Sequence, residues 1–243
     1  MTNSLIKKLG LAAAIVLGAV AALPAASAKP APRAAQAPTR NWNAVISYLP
    51  SGAILKGNPA AKVKLVEYIS YTCPHCAHFN AEASPVLASS YIASGKVQVE
   101  IRPFFRNMFD VTASLLAHCG PIGKFQGNHD ALLAQQEQWM APAEHPTSEQ
   151  IARWSDPDFA KRMQAVSNDL GLTRVMLARG YSAPQLGACL ADKALAQKLA
   201  DLTNQGVSTY KVQGTPAFLI NNQLQDDVFG WAALHPKLDQ SLR

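Results

Sequence analysis

Thr72-Cys73-Pro74-His75-Cys76-Ala77-His78-Phe79 places two thiols two residues apart, close enough to form a small ring that an attacking thiolate can reopen. That chemistry is a redox-active disulfide. The spacing alone also fits half of a zinc site or a structural disulfide, so the flanking sequence must decide. Upstream, Lys62-Val63-Lys64-Leu65-Val66-Glu67-Tyr68-Ile69 is β-branched and aromatic, apolar at its centre, and bounded by Asn58-Pro59 and Ser70. This is the pattern of a buried central strand. Downstream, Ala77, Phe79, Ala81, Ala83, Val86 and Leu87 continue a helix. Pro74 suits its first turn, where a missing N–H costs nothing.

Strand, cysteines, helix is an order with a chemical consequence. A thiol at a helix N-terminus meets unpaired backbone N–H groups and the positive end of the macrodipole, both of which favour thiolate. Cys73 is therefore expected to be the exposed, acidic nucleophile, and Cys76, one turn inside, the shielded resolving thiol. His75 can stabilise the Cys73 thiolate as imidazolium or as an N–H donor. Thiolate stabilisation favours the reduced form and makes the disulfide a stronger oxidant. His78 reads as a solvated or packed histidine.

The N-terminus has basic Lys7 and Lys8, an apolar run from Leu11 to Leu23, and small residues at Ala26-Ser27-Ala28. That three-part form predicts a cleavable secretory signal cut before Lys29, and hence a periplasmic protein. From Lys29 to Arg40 the chain is Ala/Pro-rich without apolar periodicity, the composition of a spacer. Residues 1–40 also hold five basic and no acidic groups. The formal charge of +6 thus leaves 17 Lys/Arg against 16 Asp/Glu beyond them. With the remainder nearly neutral and no basic stripe interleaved with aromatics, nucleic acid is not an expected partner.

An oxidising compartment preserves disulfides. Of the four cysteines, the close pair leaves Cys119 with Cys189, either as a structural disulfide or as two buried thiols. Val97-Gln98-Val99-Glu100-Ile101-Arg102 alternates as a second strand. Beyond it, the pattern turns helical. Asp110 is placed as the cap of a helix through Cys119, and Lys124 to Trp139 as one continuous helix. Further helices follow near Ser148, after Asp156-Pro157, from Leu172 to Gly180, from Ser182 to Leu190 and after Asp192. Strand character returns at Ala217-Phe218-Leu219-Ile220 after Gly214-Thr215-Pro216, with a short strand near Gln223–Gln225 or Val228–Phe229. Trp231 to Leu242 closes as a helix.

In this order, the strand, Cys73-Pro74-His75-Cys76 opening a helix, the helical insertion, and Thr215-Pro216 before a strand resemble the thioredoxin fold. Within it, they resemble the exported DsbA-like thiol–disulfide oxidoreductases. The resemblance implies an α/β fold with a central mixed β-sheet flanked by helices. It also implies a domain at 57–243 with a helical insertion at about 106–205, following a signal at 1–28 and a spacer and lead-in at 29–56. It further implies that Pro216 is a cis-proline against the disulfide and that the Thr215 backbone pairs with an extended substrate. Glu67, six residues before Cys73, matches the family's buried acidic residue, which relays the proton of Cys76.

No cofactor is implied. The expected partners are unfolded exported polypeptides and, as reoxidant, a DsbB-like membrane quinone reductase. The expected protein is a monomer, since no dimerisation domain is read ahead of the cysteines. Thr215 stands where the prototypical oxidase often has Val and also occurs in isomerase-like and reductase-like relatives, which leaves the direction of exchange open. A metal carrier using Cys73, Cys76 and His75 or His78 is the reading from another class. Pro74 stiffens that turn, and no second pair with ligand spacing occurs.

Overall fold

A computed structural model describes residues 40–243; the expected signal at 1–28 and most of the expected spacer lie outside the described residues. The described unit is built on a six-stranded sheet in the order β1-β2-β4-β3-β5-β6, comprising Ile46–Tyr48, Ile54–Gly57, Val97–Pro103, Val63–Ile69, Ala217–Ile220 and Gln223–Leu224. β3 and β4 run parallel, in register from Val63↔Val97 to Ile69↔Pro103, and every other neighbouring pair is antiparallel. The parallel pair needs a crossover, which α1 (Pro74–Val86) supplies. This mixed sheet flanked by helices is the thioredoxin fold.

β1 and all but the last residue of β2 lie ahead of residue 57, where the sequence places only a spacer and lead-in, so the fold begins earlier than expected. These strands, of three and four residues, are too short to carry a period. β2 is held by its pairing with β4, from Ile54↔Ile101 to Gly57↔Gln98, and β1 by its pairing with β2, from Ile46↔Lys56 to Tyr48↔Ile54.

Alternation along β3 separates two cores. Val63, Leu65 and Ile69 pack with Phe79, Ala83 and Leu87 on the α1 side, together with Leu234 and Leu238 of α10 (Trp231–Leu242). Val66 and Tyr68 point to the other face, with Val212 and Leu219. α9 (Lys193–Ser208) approaches that face through Gly206, where an added Cβ would come within 2.8 Å of the Tyr68 ring. A side chain there would push the helix off the sheet.

Between β4 and β5 the chain is helical: α2 (Met108–Ala117), α3 (Phe125–Ala134), α4 (Gln136–Met140), α5 (Ser148–Trp154), α6 (Phe159–Asp169), α7 (Leu172–Ala178), α8 (Ala183–Leu190) and α9. The expected helix from Lys124 to Trp139 is broken at Gln135 into α3 and α4. The α2 cap is Asn107, whose Oδ1 accepts from the Phe109 and Asp110 N–H groups. Asp110 sits within the first turn and is buried, its carboxylate bonded to groups outside its own helix. Among the described residues, no helix is long and apolar enough to cross a membrane.

Candidate active site

β3 ends at Ile69, and Ser70, Tyr71 and Thr72 lead into Cys73, the N-cap of α1. Its backbone is extended (φ −95°, ψ 116°), and its carbonyl accepts from the N–H groups of Cys76 and Ala77. Cys73 and Cys76 are free thiols. Cys73 Sγ lies 3.1 Å from the carbonyl oxygen of Thr215, and the Thr215–Pro216 peptide is cis. The loop before β5 thus seats its backbone directly on the first thiol.

The two thiols differ in acidity. Cys73 is lowered to about 5, first by the hydrogen bond from the Cys76 thiol and then, against an opposing effect of burial, by Thr215 and the backbone N–H groups of Cys76 and His75. Burial pushes Cys76 well up, and the neighbouring Cys73 adds to it. The Thr215 hydroxyl is buried and makes no hydrogen bond among the described residues. Beside a thiolate it is a donor, which explains why Thr215 favours ionisation of both sulfurs.

Two expectations need correction. Cys73 is only 4% exposed; its access is a depression of about 470 Å³ that it lines with Pro74, His75, Arg106 and Thr215. The contribution of His75 comes from its backbone N–H, while its ring is exposed and makes no hydrogen bond among the described residues. His78 is exposed and faces Glu82 one turn on, Nε2 to Oε1 3.2 Å.

Glu67 lies on the α1 side of β3, between Ile101 and Phe218 in the register. It is buried, and its carboxyl is pushed up to about 8, mainly by loss of water and then by the charge of Asp130. A carboxyl with that value is a proton donor near neutral pH.

The insertion also grips the loop that carries Cys73. The Asp110 carboxylate accepts from Ser70 Oγ (2.8 Å), the Thr72 N–H (3.0 Å), Thr72 Oγ1 (3.1 Å) and the Arg106 N–H (2.9 Å). Gln136 Nε2 donates to the carbonyls of Tyr71 (2.6 Å) and Cys73 (2.9 Å). Tyr71 Oη pairs with His129 Nδ1 at 2.8 Å. These positioning groups were not legible in the sequence. They act across separations of tens of residues, and a polar side chain within a helical stretch gives no sign of which loop it holds.

Away from this site, Cys119 and Cys189 are joined by a disulfide with Cα atoms 5.5 Å apart, linking the end of α2 to α8. Among the described residues no group of three or more His, Cys, Asp or Glu is placed to hold a metal.

A dithiol at a helix N-terminus, set against a cis-proline loop on this sheet, defines the class of thioredoxin-like dithiol proteins. A family model described as thioredoxin matches residues 51–240. The chain belongs to that family.

The crystal structure of a protein-disulfide isomerase from Novosphingobium aromaticivorans superposes with a TM-score of 0.75 at 40% identity, covering 79% of this chain and 98% of that one. Wolbachia pipientis alpha-DsbA1 shares the fold, with a TM-score of 0.59 at 20% identity over 77% of this chain and 89% of that one. A Rickettsia bellii protein provisionally described as a protein-disulfide oxidoreductase is 28% identical over 187 residues, or 76% of this chain. The match spans 63% of that protein's length and 51–53% of the other Rickettsia relatives.

Proposed function

We propose that this chain is a periplasmic thiol–disulfide oxidoreductase that donates the Cys73–Cys76 disulfide to newly exported polypeptides. The observation that carries this reading is the opposed acidity of the two thiols. A thiolate held at about 5 is a good leaving group and stabilises the reduced protein, which makes the disulfide oxidising.

In the first step, a substrate thiolate attacks Cys73 Sγ. The Cys73–Cys76 bond breaks, and Cys76 leaves and takes a proton, for which Glu67, buried on the α1 side of β3, is the proposed donor. The Thr215 backbone pairs with the extended substrate and presents its sulfur. A second substrate thiolate then attacks the first substrate sulfur, and Cys73 departs as thiolate. The substrate loses two electrons and the enzyme gains them. A DsbB-like membrane quinone reductase would remove them again.

The Leu11–Leu23 run and Ala26-Ser27-Ala28 support export, with Cys119–Cys189 as a structural staple of the insertion. A second reading, disulfide isomerase or reductase on the same scaffold, is favoured by Thr215 and by the name of the Novosphingobium relative.

The redox equilibrium of Cys73/Cys76 against glutathione separates the two. The donor reading expects a potential closer to DsbA's roughly −120 mV than to thioredoxin's roughly −270 mV. A value at the reducing end overturns it.

A further inference from the structure

The surface around Cys73 is electrically two-sided. Next to the depression that holds the thiol lies a second, of about 530 Å³, between the start of α1 and the insertion, and Pro74 lines both. The second has an apolar floor that includes Leu133 and Met140 and two glutamates, Glu137 and Glu144, on its wall. Both glutamates are exposed, and neither forms an ion pair among the described residues. The first depression has the opposite sign: its charged wall is Arg106, exposed and likewise without an ion pair among the described residues. Unneutralised rim charges beside a reacting sulfur act on whatever chain is delivered there, chiefly through association rate and salt dependence.

Resting on the disulfide-donor reading, we propose that the two depressions form one cleft for an extended cysteine-containing polypeptide. It takes a segment with an apolar and a basic residue on the side that lies along α4, and an acidic residue on the side that meets Arg106. The apolar residue sits on Met140 and Leu133, the basic one faces Glu137 and Glu144, and Pro74 is the ridge the chain crosses with its thiol at Cys73. The charge order around a substrate cysteine, more than its net charge, then selects which thiol is oxidised first.

The test uses the full chain in its disulfide form and three reduced peptides with one central cysteine. One has Lys before and Glu after, one has the reverse order, and one has Gln at both places. Rates are read from loss of peptide thiol at low and high salt. We expect one charge order to react about threefold faster than the Gln peptide and the other about threefold slower, as rim charge pairs of this kind allow. The difference should shrink at high salt and vanish in the triple variant Arg106→Gln, Glu137→Gln, Glu144→Gln.

Equal rates for the two charge orders, with the Gln peptide oxidised normally, would overturn the cleft and leave the donor reading intact. An order preference that survives in the triple variant would overturn it too. If none of the peptides is oxidised, the donor reading fails and the cleft with it.

Discussion

Cys73 and Cys119 are equally buried, at 4% and 3% exposure, yet the fold treats them in opposite ways. Cys73 stands at the start of a helix, where free N–H groups and a carbonyl-bearing loop surround its sulfur, and its thiol is lowered to about 5. Cys119 stands just past the end of α2, with its N–H on the Leu116 carbonyl. That is the negative end of a helix, where a thiolate gains nothing. Its partner is 70 residues away rather than three. Burial therefore does not distinguish a reactive cysteine from an inert one here; the polarity of the nearest backbone does.

The sharpest way to break this comparison is to remove one sulfur of the close pair. Cys73→Ser should abolish transfer of a disulfide to a reduced, unfolded test protein. Cys76→Ser should leave an acidic Cys73 that accumulates as a mixed disulfide, because the resolving thiol is gone. Loss of thiol from the reduced test protein reads the first, and non-reducing electrophoresis after mixing Cys76→Ser with an oxidised substrate reads the second. Turnover by Cys73→Ser, or no trapped adduct with Cys76→Ser, would show that the two roles are wrongly assigned.

Glu67 gives a smaller effect, and one that depends on pH. Its folded value of about 8 lies above the ordinary 4.5, so the folded state keeps a proton that the unfolded state releases. The contribution of that proton is intact below 4.5, declines as pH rises, and is fully lost above about 8. Glu67→Gln should therefore gain stability relative to the native sequence across that window, on the order of several kcal/mol at its alkaline end. In exchange, the native protein should be faster than Glu67→Gln by about a hundredfold at pH 6, at the low end for a positioned general acid. The ratio should fall towards one as pH passes 8. Denaturant melts and stopped-flow rates across this range check both, and a ratio independent of pH removes Glu67 from the proton path.

How much of this was legible follows from the range of each interaction. The strand at Val63–Ile69, the helix opened by Pro74 and the strand at Ala217–Ile220 are visible because their patterns are local and strong. The cysteine pair and Thr215-Pro216 carry their chemistry in residue identity, so these members of the candidate site stand out in the sequence. β1 and β2 could not, because three and four residues held by pairing alone leave no period to read. Asp110 was visible as an acidic residue near a helix start, but its bonds to Ser70 and Thr72 cross 40 and 38 residues of chain. Gln136 reaches back 63 residues to Cys73. The exposure expected for Cys73 failed for the same reason, since the loop that covers it arrives from residue 215.

The last way to sharpen the comparison is to delete the other pair. Closing a loop with a sequence separation of 70 restricts the unfolded chain. In the chain-entropy account, the double variant Cys119→Ser, Cys189→Ser should lose about 4 kcal/mol of stability. The chemistry at Cys73 should stay where it is, because none of the groups that lower its thiol belongs to α2 or α8. Thiolate absorbance of the reduced protein should still titrate near 5, and exchange rates at a temperature where the variant is folded should match the native ones. A shifted titration with intact folding would mean that the second disulfide reaches the first through the α2 end that carries Asp110. The two pairs would then be one coupled system rather than two separate ones. Asp110 lies at the start of α2 and Cys119 beyond its end, so such coupling requires the whole helix to move as a rod. The four hydrogen bonds on Asp110 resist that motion, which is why the titration is expected to stay in place.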